Sequence, residues 1–462
     1  MRNKVAVFFA VMSLLIGSAP ACLGQSPARA EFISLQSAQP VLERFRDALP
    51  PDLKAAGPLD ATRWSAWVQG KDREVRNRLI RGEEDTLVNL LRFGVTFTSE
   101  YRIDDEFLAR YGQSSLVNSF AENRANDLIH AWMAPHPSEG LIEMRTFAEQ
   151  HGHFLRTVRE RAETKKYLLD SLARLRDEYL KYKSQPKDER RFQLFQNRGI
   201  SLDTNLWPDY LLDAAFRSLR EKGMLKAGGV RRIAIVGPGL DFANKEAGND
   251  FYPPQTIQPF AVLDSLIRLG IANARTVAVD TLDISENVNV HVAHIRQAAT
   301  QGHSYILQLP WNTERPMSEE YRAHFVEYWQ KLGDAIGQPV APITVPEAAA
   351  STQTRAIKVR PDIVLQVTPV DVNVVYQRLN WPADRTYDMV IGTNIFLYYG
   401  AFEQSLARAN VSAMLRPGGF LISNDKLADQ LPSELEDVFE VPVASSEQPL
   451  VQDFAFCYLR KN

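Results

Sequence analysis

The chain has 462 residues, 45% of them hydrophobic and 24% charged, with a net charge of −3 and only two cysteines. That length is too great for one ordinary core, and the composition is that of a globular protein rather than a disordered or fibrous one. The near-neutral balance gives no bulk attraction to nucleic acid, and two cysteines make neither a disulfide framework nor a Cys-type zinc site.

Residues 1–30 read as an export signal. Arg2 and Lys4 precede an apolar core from Val5 to Ile16, and Ala19-Pro20-Ala21 and Ala28-Arg29-Ala30 both match a small-x-small cleavage site. This twelve-residue stretch is too short to span a bilayer. Cys22 directly after Ala21 offers a lipidation site, although Ala19 stands where a lipoprotein usually has Leu. No later run is apolar enough for a transmembrane helix, so a periplasmic or secreted protein, or one tethered through Cys22, is expected.

From about Glu31 to residue 227 the period is helical. Leu87, Leu90, Leu91 and Val95 recur at helix spacing, as do Tyr167, Leu168, Leu172, Leu175 and Tyr179. An all-α domain of five to eight helices is expected, ending in a helix from about Trp207 to Lys222 with Pro208 in its first turn and Gly223 at its end.

After Gly229 the period changes to strands, and an α/β domain is expected over 228–462. Arg232 to Val236 reads as a buried parallel strand closed by the turn Gly237-Pro238-Gly239. A helix from Gln255 to Leu269 and a strand from Thr276 to Leu282 follow. Asp362 to Val367 is the expected third strand, Tyr387 to Thr393 the fourth and Phe420 to Ser423 the fifth, preceded by a Pro-Gly-Gly turn. Val438 to Val443 and Asp453 to Leu459 lie too close for an intervening helix and should form an antiparallel hairpin. Residues 286–360 form an insertion with a helix near Glu319 to Ile336 and a Pro-rich stretch from Pro339 to Pro346. It reads as a cap over a site or a partner surface.

The pattern from Tyr387 to Thr393, Asn394, the apolar-aromatic run Ile395 to Tyr399, then a helix, and Met414 to Asn424 resembles the fourth and fifth strands of the class I S-adenosylmethionine (SAM) methyltransferases. It is closest to the chemotaxis-receptor type. The resemblance covers about half of the chain and implies a Rossmann-like seven-stranded sheet with an antiparallel C-terminal hairpin. It further implies SAM as cofactor and methyl transfer by in-line displacement to a small-molecule or protein substrate of unreadable identity, with the helical half as substrate lid.

By that resemblance Gly237 and Gly239 hold the methionine end of the cofactor. The family's acid two residues before the first glycine is replaced by Ile235, and its third glycine by Asp241, which could instead meet the methionine ammonium. The loop from Leu240 to Pro254 places the next helix well away from the turn. Asp283, preferred over Asp280, would accept the ribose hydroxyls, although it lies about 45 residues beyond the turn against a usual ~20. Asp371 falls where the family places a residue near adenine, Thr393 and Asn394 beside the transferred methyl, and Tyr398 and Tyr399 at the substrate entrance. Each has a plainer alternative, a turn or helix cap for the acids and core packing for the tyrosines. His151 with His153 and His291 with His294 lack a third metal ligand at a convincing spacing. The rival expectation is an exported, non-catalytic binding or structural protein on the same scaffold, since the glycine motif is incomplete and SAM is made in the cytoplasm.

Overall fold

The computed structural model describes residues 29–54, 59–184, 199–200, 204–241, 250–427, 434–447 and 450–461. The export signal and Cys22 lie outside these, apart from Arg29 and Ala30. None of the described helices is long and apolar enough to cross a membrane.

Among the described residues, seven helices come first: α1 (Leu35–Arg44), α2 (Pro51–Lys54), α3 (Ala61–Phe93), α4 (Asp105–Arg110), α5 (Ser115–Met133), α6 (Glu139–Gln150) and α7 (Val158–Lys183). α3 is started by the Asp60 carboxylate, which accepts from the Arg63 N–H at 2.8 Å. It stops at Phe93, two residues short of the Val95 that the heptad-like spacing included. α8 (Leu206–Glu221) follows, capped by Asn205 and ended where Gly223 takes φ 71°.

Seven strands make the main sheet. In space they run β11 (Leu435–Glu447), β12 (Leu450–Arg460), β10 (Leu415–Ser423), β9 (Tyr387–Gly392), β2 (Arg232–Val236), β3 (Ala278–Asp283), β7 (Val367–Asp371). The five from β10 to β7 are parallel, and β12 and β11 close the sheet as an antiparallel pair. This is the sheet expected from sequence. Its strands are apolar on both faces, as parallel strands covered twice must be. Ala234, Val236, Leu282, Val390 and Leu421 face one core and Ile233, Ile235, Val279, Ile391 and Ile422 the other.

The first core continues without a break into α1, α3, α5 and α6 and into α13 (Ala401–Met414). The second holds α8, α9 (Gln258–Arg268) and the hairpin. α8, read from sequence as part of the helical half, is therefore part of the layer beneath the sheet.

Three local expectations are corrected. The third strand is Val367–Asp371, not 362–367: Pro361 opens a short helix, Pro361–Val364, that uses up Ile363 and Val364. The Pro-Gly-Gly turn lies within β10 as a bulge, since Leu415 pairs with Tyr387 but Phe420 with Met389. Residues 286–360 are not one cap. They comprise α10 (Glu286–Thr300), which leads back towards β7, and a small antiparallel sheet of β4 (Tyr305–Asn312), β5 (Gly337–Val340) and β6 (Thr352–Val359), with α11 (Glu319–Lys331) against it. Its apolar residues Leu307, Leu309, Phe325 and Ile357 share the second core with α8 and α9.

At the front, β1 (Ala30–Phe32) pairs antiparallel with β8 (Gln377–Leu379), a pairing the sequence did not suggest.

Candidate cofactor cavity at the strand ends

A cavity of about 830 Å³, its open mouth included, lies at the carboxyl ends of β2, β3 and β9. This is where open parallel sheets hold their ligands. Its walls include Val236, Gly237, Gly239, Gln258, Leu282, Asp283, Thr393, Asn394, Tyr398 and Tyr399 from the α/β half. Leu79 of α3, Ile200, Thr204 and Pro208 of α8 close it from the other side.

Both glycines of the turn are left-handed, Gly237 at φ 61° and Gly239 at φ 70°. A Cβ on Gly237 would come within 2.3 Å of Ile395 Cδ1, so only glycine lets the turn and the β9 loop approach so closely. The long 240–254 connection does not displace the next helix. Asp241 and Gln255 bridge backbone to backbone, which closes the excursion at its neck and returns the chain so that Gln258, first residue of α9, lines the cavity with the glycines. The expected distance between turn and helix is thus corrected.

Asp283 ends β3 and is 5% exposed. Burial pushes its carboxyl up to about 7, the Glu83 carboxylate adds to the rise, and the N–H groups of Ser285, Gly239 and Ile284 oppose it. Ser285 N–H donates to Oδ1 at 2.8 Å. Asp280, the alternative, is held away by an ion pair with Arg232 at 3.1 Å and the Tyr387 hydroxyl at 2.7 Å, and does not line the cavity.

Asn394 is the one non-glycine residue with positive φ, 58°, among those described. Asn tolerates this conformation better than most side chains. Asn424, at the end of β10, fixes it on both sides: its Oδ1 accepts from Asn394 N–H at 2.7 Å and its Nδ2 donates to Asn394 Oδ1 at 2.8 Å. Thr393 Oγ1 accepts from Gln258 Nε2 at 2.8 Å. Gln404 of α13 donates to the carbonyls of Phe396 and Tyr399 and so holds the loop that presents Tyr398 and Tyr399.

Two expected residues are not in the cavity wall. Asp241 is buried and accepts the Tyr252 hydroxyl at 2.6 Å, which uses its carboxylate to pin the excursion. Asp371 ends β7 beside Asp283 but turns outward to a two-pronged ion pair with Arg76, at 2.7 and 3.2 Å.

That ion pair belongs to a pattern that sequence reading passed over. Along α3, Asp72 accepts from Asn373 Nδ2 at 2.8 Å, Arg76 binds Asp371, Leu79 lines the cavity, and Glu83 accepts from Ser285 Oγ at 2.9 Å. The spacing of four, three and four residues puts all of them on one face. This face lies along the ends of β3 and β7. Behind Glu83, His151 is 3.3 Å away, and that hydrogen bond raises its pKa. His153 stacks on Tyr167, and His291 is bonded to the Tyr305 hydroxyl. Among the described residues no three His, Cys, Asp or Glu side chains gather as a metal site.

No protein-family model matches the chain, and no curated protein matches it in sequence. Among solved structures it is similar to the N-methyltransferase NodS from Bradyrhizobium japonicum WM9, with 10% identity over 54% of this chain and 98% of that one and a TM-score of 0.25. It is similar also to magnesium protoporphyrin IX methyltransferase (ChlM) from Synechocystis PCC 6803, crystallised with bound SAM, at 10% identity, 62% and 97% coverage and a TM-score of 0.26. The CcbJ methyltransferase from Streptomyces caelestis gives 13%, 55% and 78%, and 0.21. Likenesses this weak carry no argument for function, which rests below on the sheet and its cavity.

Proposed function

We propose that the chain is a SAM-dependent methyltransferase of the class I type. The observation that carries this reading is the joint wall of the cavity. The left-handed Gly237 and Gly239, the buried Asp283 at the tip of the second parallel strand and Thr393 with Asn394 at the tip of the fourth all face one space. The sheet around them has five parallel strands and a closing hairpin.

The residues present suit the cofactor. The Gly237 to Gly239 turn leaves room for a ligand to lie on backbone, and Asp283 offers acceptors for two adjacent ribose hydroxyls. When bound, SAM would supply an electrophilic methyl group on a sulfonium, whose transfer needs an aligned acceptor lone pair more than an acid–base pair. The chain's part is therefore positioning and the exclusion of water. Thr393 and Asn394 are fixed by Gln258 and Asn424 at one wall, while Leu79, Ile200 and Pro208 keep the other apolar. The helical segments supply this second wall, and in this reading they act as the lid that selects the methyl acceptor, with Tyr398 and Tyr399 at its entrance. In this reading residues 1–30 act as an export signal and the enzyme works outside the cytoplasm.

Calorimetric titration of S-adenosylhomocysteine into the chain from Cys22 onward, which keeps β1 whole, tests the proposal. Micromolar binding is expected. No heat up to millimolar ligand would sink it and return the scaffold reading.

A further inference from the structure

The strand position at which the resemblance calls for an acid to meet a cofactor ammonium is Ile235, fully buried in the core below the sheet. With Asp241 bound to Tyr252, the methionine end has no acid from either expected place. Another pair of groups stands beside the turn. Gln258 is 2% exposed and lines the cavity; its Nε2 is spent on Thr393, and its Oε1 has no hydrogen-bond partner. Behind it, in the first turn of α8 and next to the cavity residue Pro208, Asp209 is equally buried; neither of its carboxyl oxygens has a hydrogen bond of ordinary geometry, and the Gln258 amide is the donor that acts on it.

Buried acceptors left bare are costly in a finished core, about 1–3 kcal/mol each, and more when charged. Two of them together, one in a cavity wall, mark the place where a donor is missing. We infer that Gln258 Oε1 receives the α-ammonium of the cofactor's amino-acid end, and that Asp209 behind it supplies the countercharge that Ile235 does not. The inference rests on the methyltransferase reading and adds to it the recognition of one end of the ligand.

The electrostatics agree. Burial pushes the Asp209 carboxyl up to about 7, and the Gln258 amide is the group that works against the rise. Asp209 also lies in the first turn of a sixteen-residue helix, where the helix dipole favours a negative charge. An ammonium beside it would favour its ionised form. Asp213 and Asp264, the other acids on the facing sides of α8 and α9, are already taken by Arg268, at 2.6 and 3.3 Å, and do not compete.

The test uses three probes on the chain from Cys22 onward: S-adenosylhomocysteine, its analogue lacking only the α-amino group, and 5′-deoxy-5′-methylthioadenosine, which lacks the whole amino-acid end. The unaltered protein is expected to bind the deaminated analogue at least tenfold more weakly than S-adenosylhomocysteine. Gln258→Leu and Asp209→Asn should each weaken S-adenosylhomocysteine at least tenfold while leaving methylthioadenosine within twofold. Gln258→Glu, which keeps an acceptor, should retain binding. Equal affinity of the unaltered protein for the amino and deaminated ligands overturns the inference whatever the variants do. So does a parallel loss of both S-adenosylhomocysteine and methylthioadenosine in Asp209→Asn, which is nearly isosteric and relieves a buried charge. If the unaltered chain binds none of the three, the cofactor reading itself fails and this assignment with it.

Discussion

Asp283 pulls stability and binding in opposite directions as pH changes. Its folded pKa, about 7, lies above the value near 4 of a free carboxyl. The stability it contributes is therefore complete below about 4 and is lost as pH rises through about 7. Accepting ribose hydroxyls requires the ionised form, so affinity for S-adenosylhomocysteine should instead rise over the same upper range. The groups around it are Glu83 with His151 behind, and Asp371 tied to Arg76, whose ion pair screens that second carboxylate. Titrations between pH 5.5 and 8.5 should show affinity climbing in the native chain and climbing less steeply in Asp283→Asn, where Asp209 is left to titrate over the same range. Asp283→Ala should cost about 1.5–3 kcal/mol of binding, the worth of hydrogen bonds to a charged group. An unchanged affinity would remove Asp283 from the site. Its place at the tip of the second strand was legible in sequence, because it is the acid that ends an apolar run. Asp280 looked similar, and only the partners Arg232 and Tyr387, distant in sequence, tell the two apart. Gln258 and Asp209 were not legible at all. What marks them is a lack of partners, which appears only once the fold has brought everything else into place.

Among the elements, α3 carries the contacts that join the helical half to the strand ends. Its cavity face continues at Gly82, where the backbone of Gly199 and Ile200 crosses directly: Ile200 N–H donates to Arg78 O at 3.0 Å, and a Cβ on Gly82 would come within 1.7 Å of Ile200 O. Gly199 is equally confined, its own Cβ position lying 2.4 Å from Gly82 N. Gly82→Ala must push the crossing strap away and take Ile200 out of the cavity wall. It should destabilise by about 1–3 kcal/mol, the usual cost of overpacking, and weaken S-adenosylhomocysteine as well. Urea unfolding and titration check both, and an unchanged chain would show that the strap is not held there. From sequence α3 was visible through its leucines, but its polar face was not, because Asp72, Arg76 and Glu83 look like ordinary solvated charges until Asn373, Asp371 and Ser285 arrive opposite. The small sheet was missed for another physical reason. Pro310 and Pro339 break the strand pattern, and both lie in β4 and β5, the edge strands, where a missing N–H costs little.

At the scale of the whole molecule, the parallel sheet with its hairpin followed from apolar runs and short connections, whereas the way the two halves meet did not. They share one continuous core and are joined by ion pairs and hydrogen bonds between residues hundreds of positions apart. The front of the chain adds a prediction. β1 starts at Ala30, which pairs with Leu379. Removal of a leader after Ala30 would cut into this strand, whereas removal after Ala21 leaves it whole. N-terminal sequencing of the mature protein is therefore expected to begin at Cys22, and a start at Glu31 would show that the strand is dispensable.

The clasp of β1 on β8 also sets an order of events. The Asn380 amide reaches the Glu31 carboxylate across 349 residues of chain, and Ile33 N–H donates to Tyr376 O. β1 is made long before β8 and is thus among the last elements to find its partner. For most of synthesis it waits as a bare strand, and so do the faces of α3 and α1 that are buried only against the finished sheet. A chain built this way closes by its two ends meeting late. Its arrival at the native state should be timed by the completion of the C-terminal half, and a shortened chain that stops before residue 377 should leave the helical segments without the surface on which they settle.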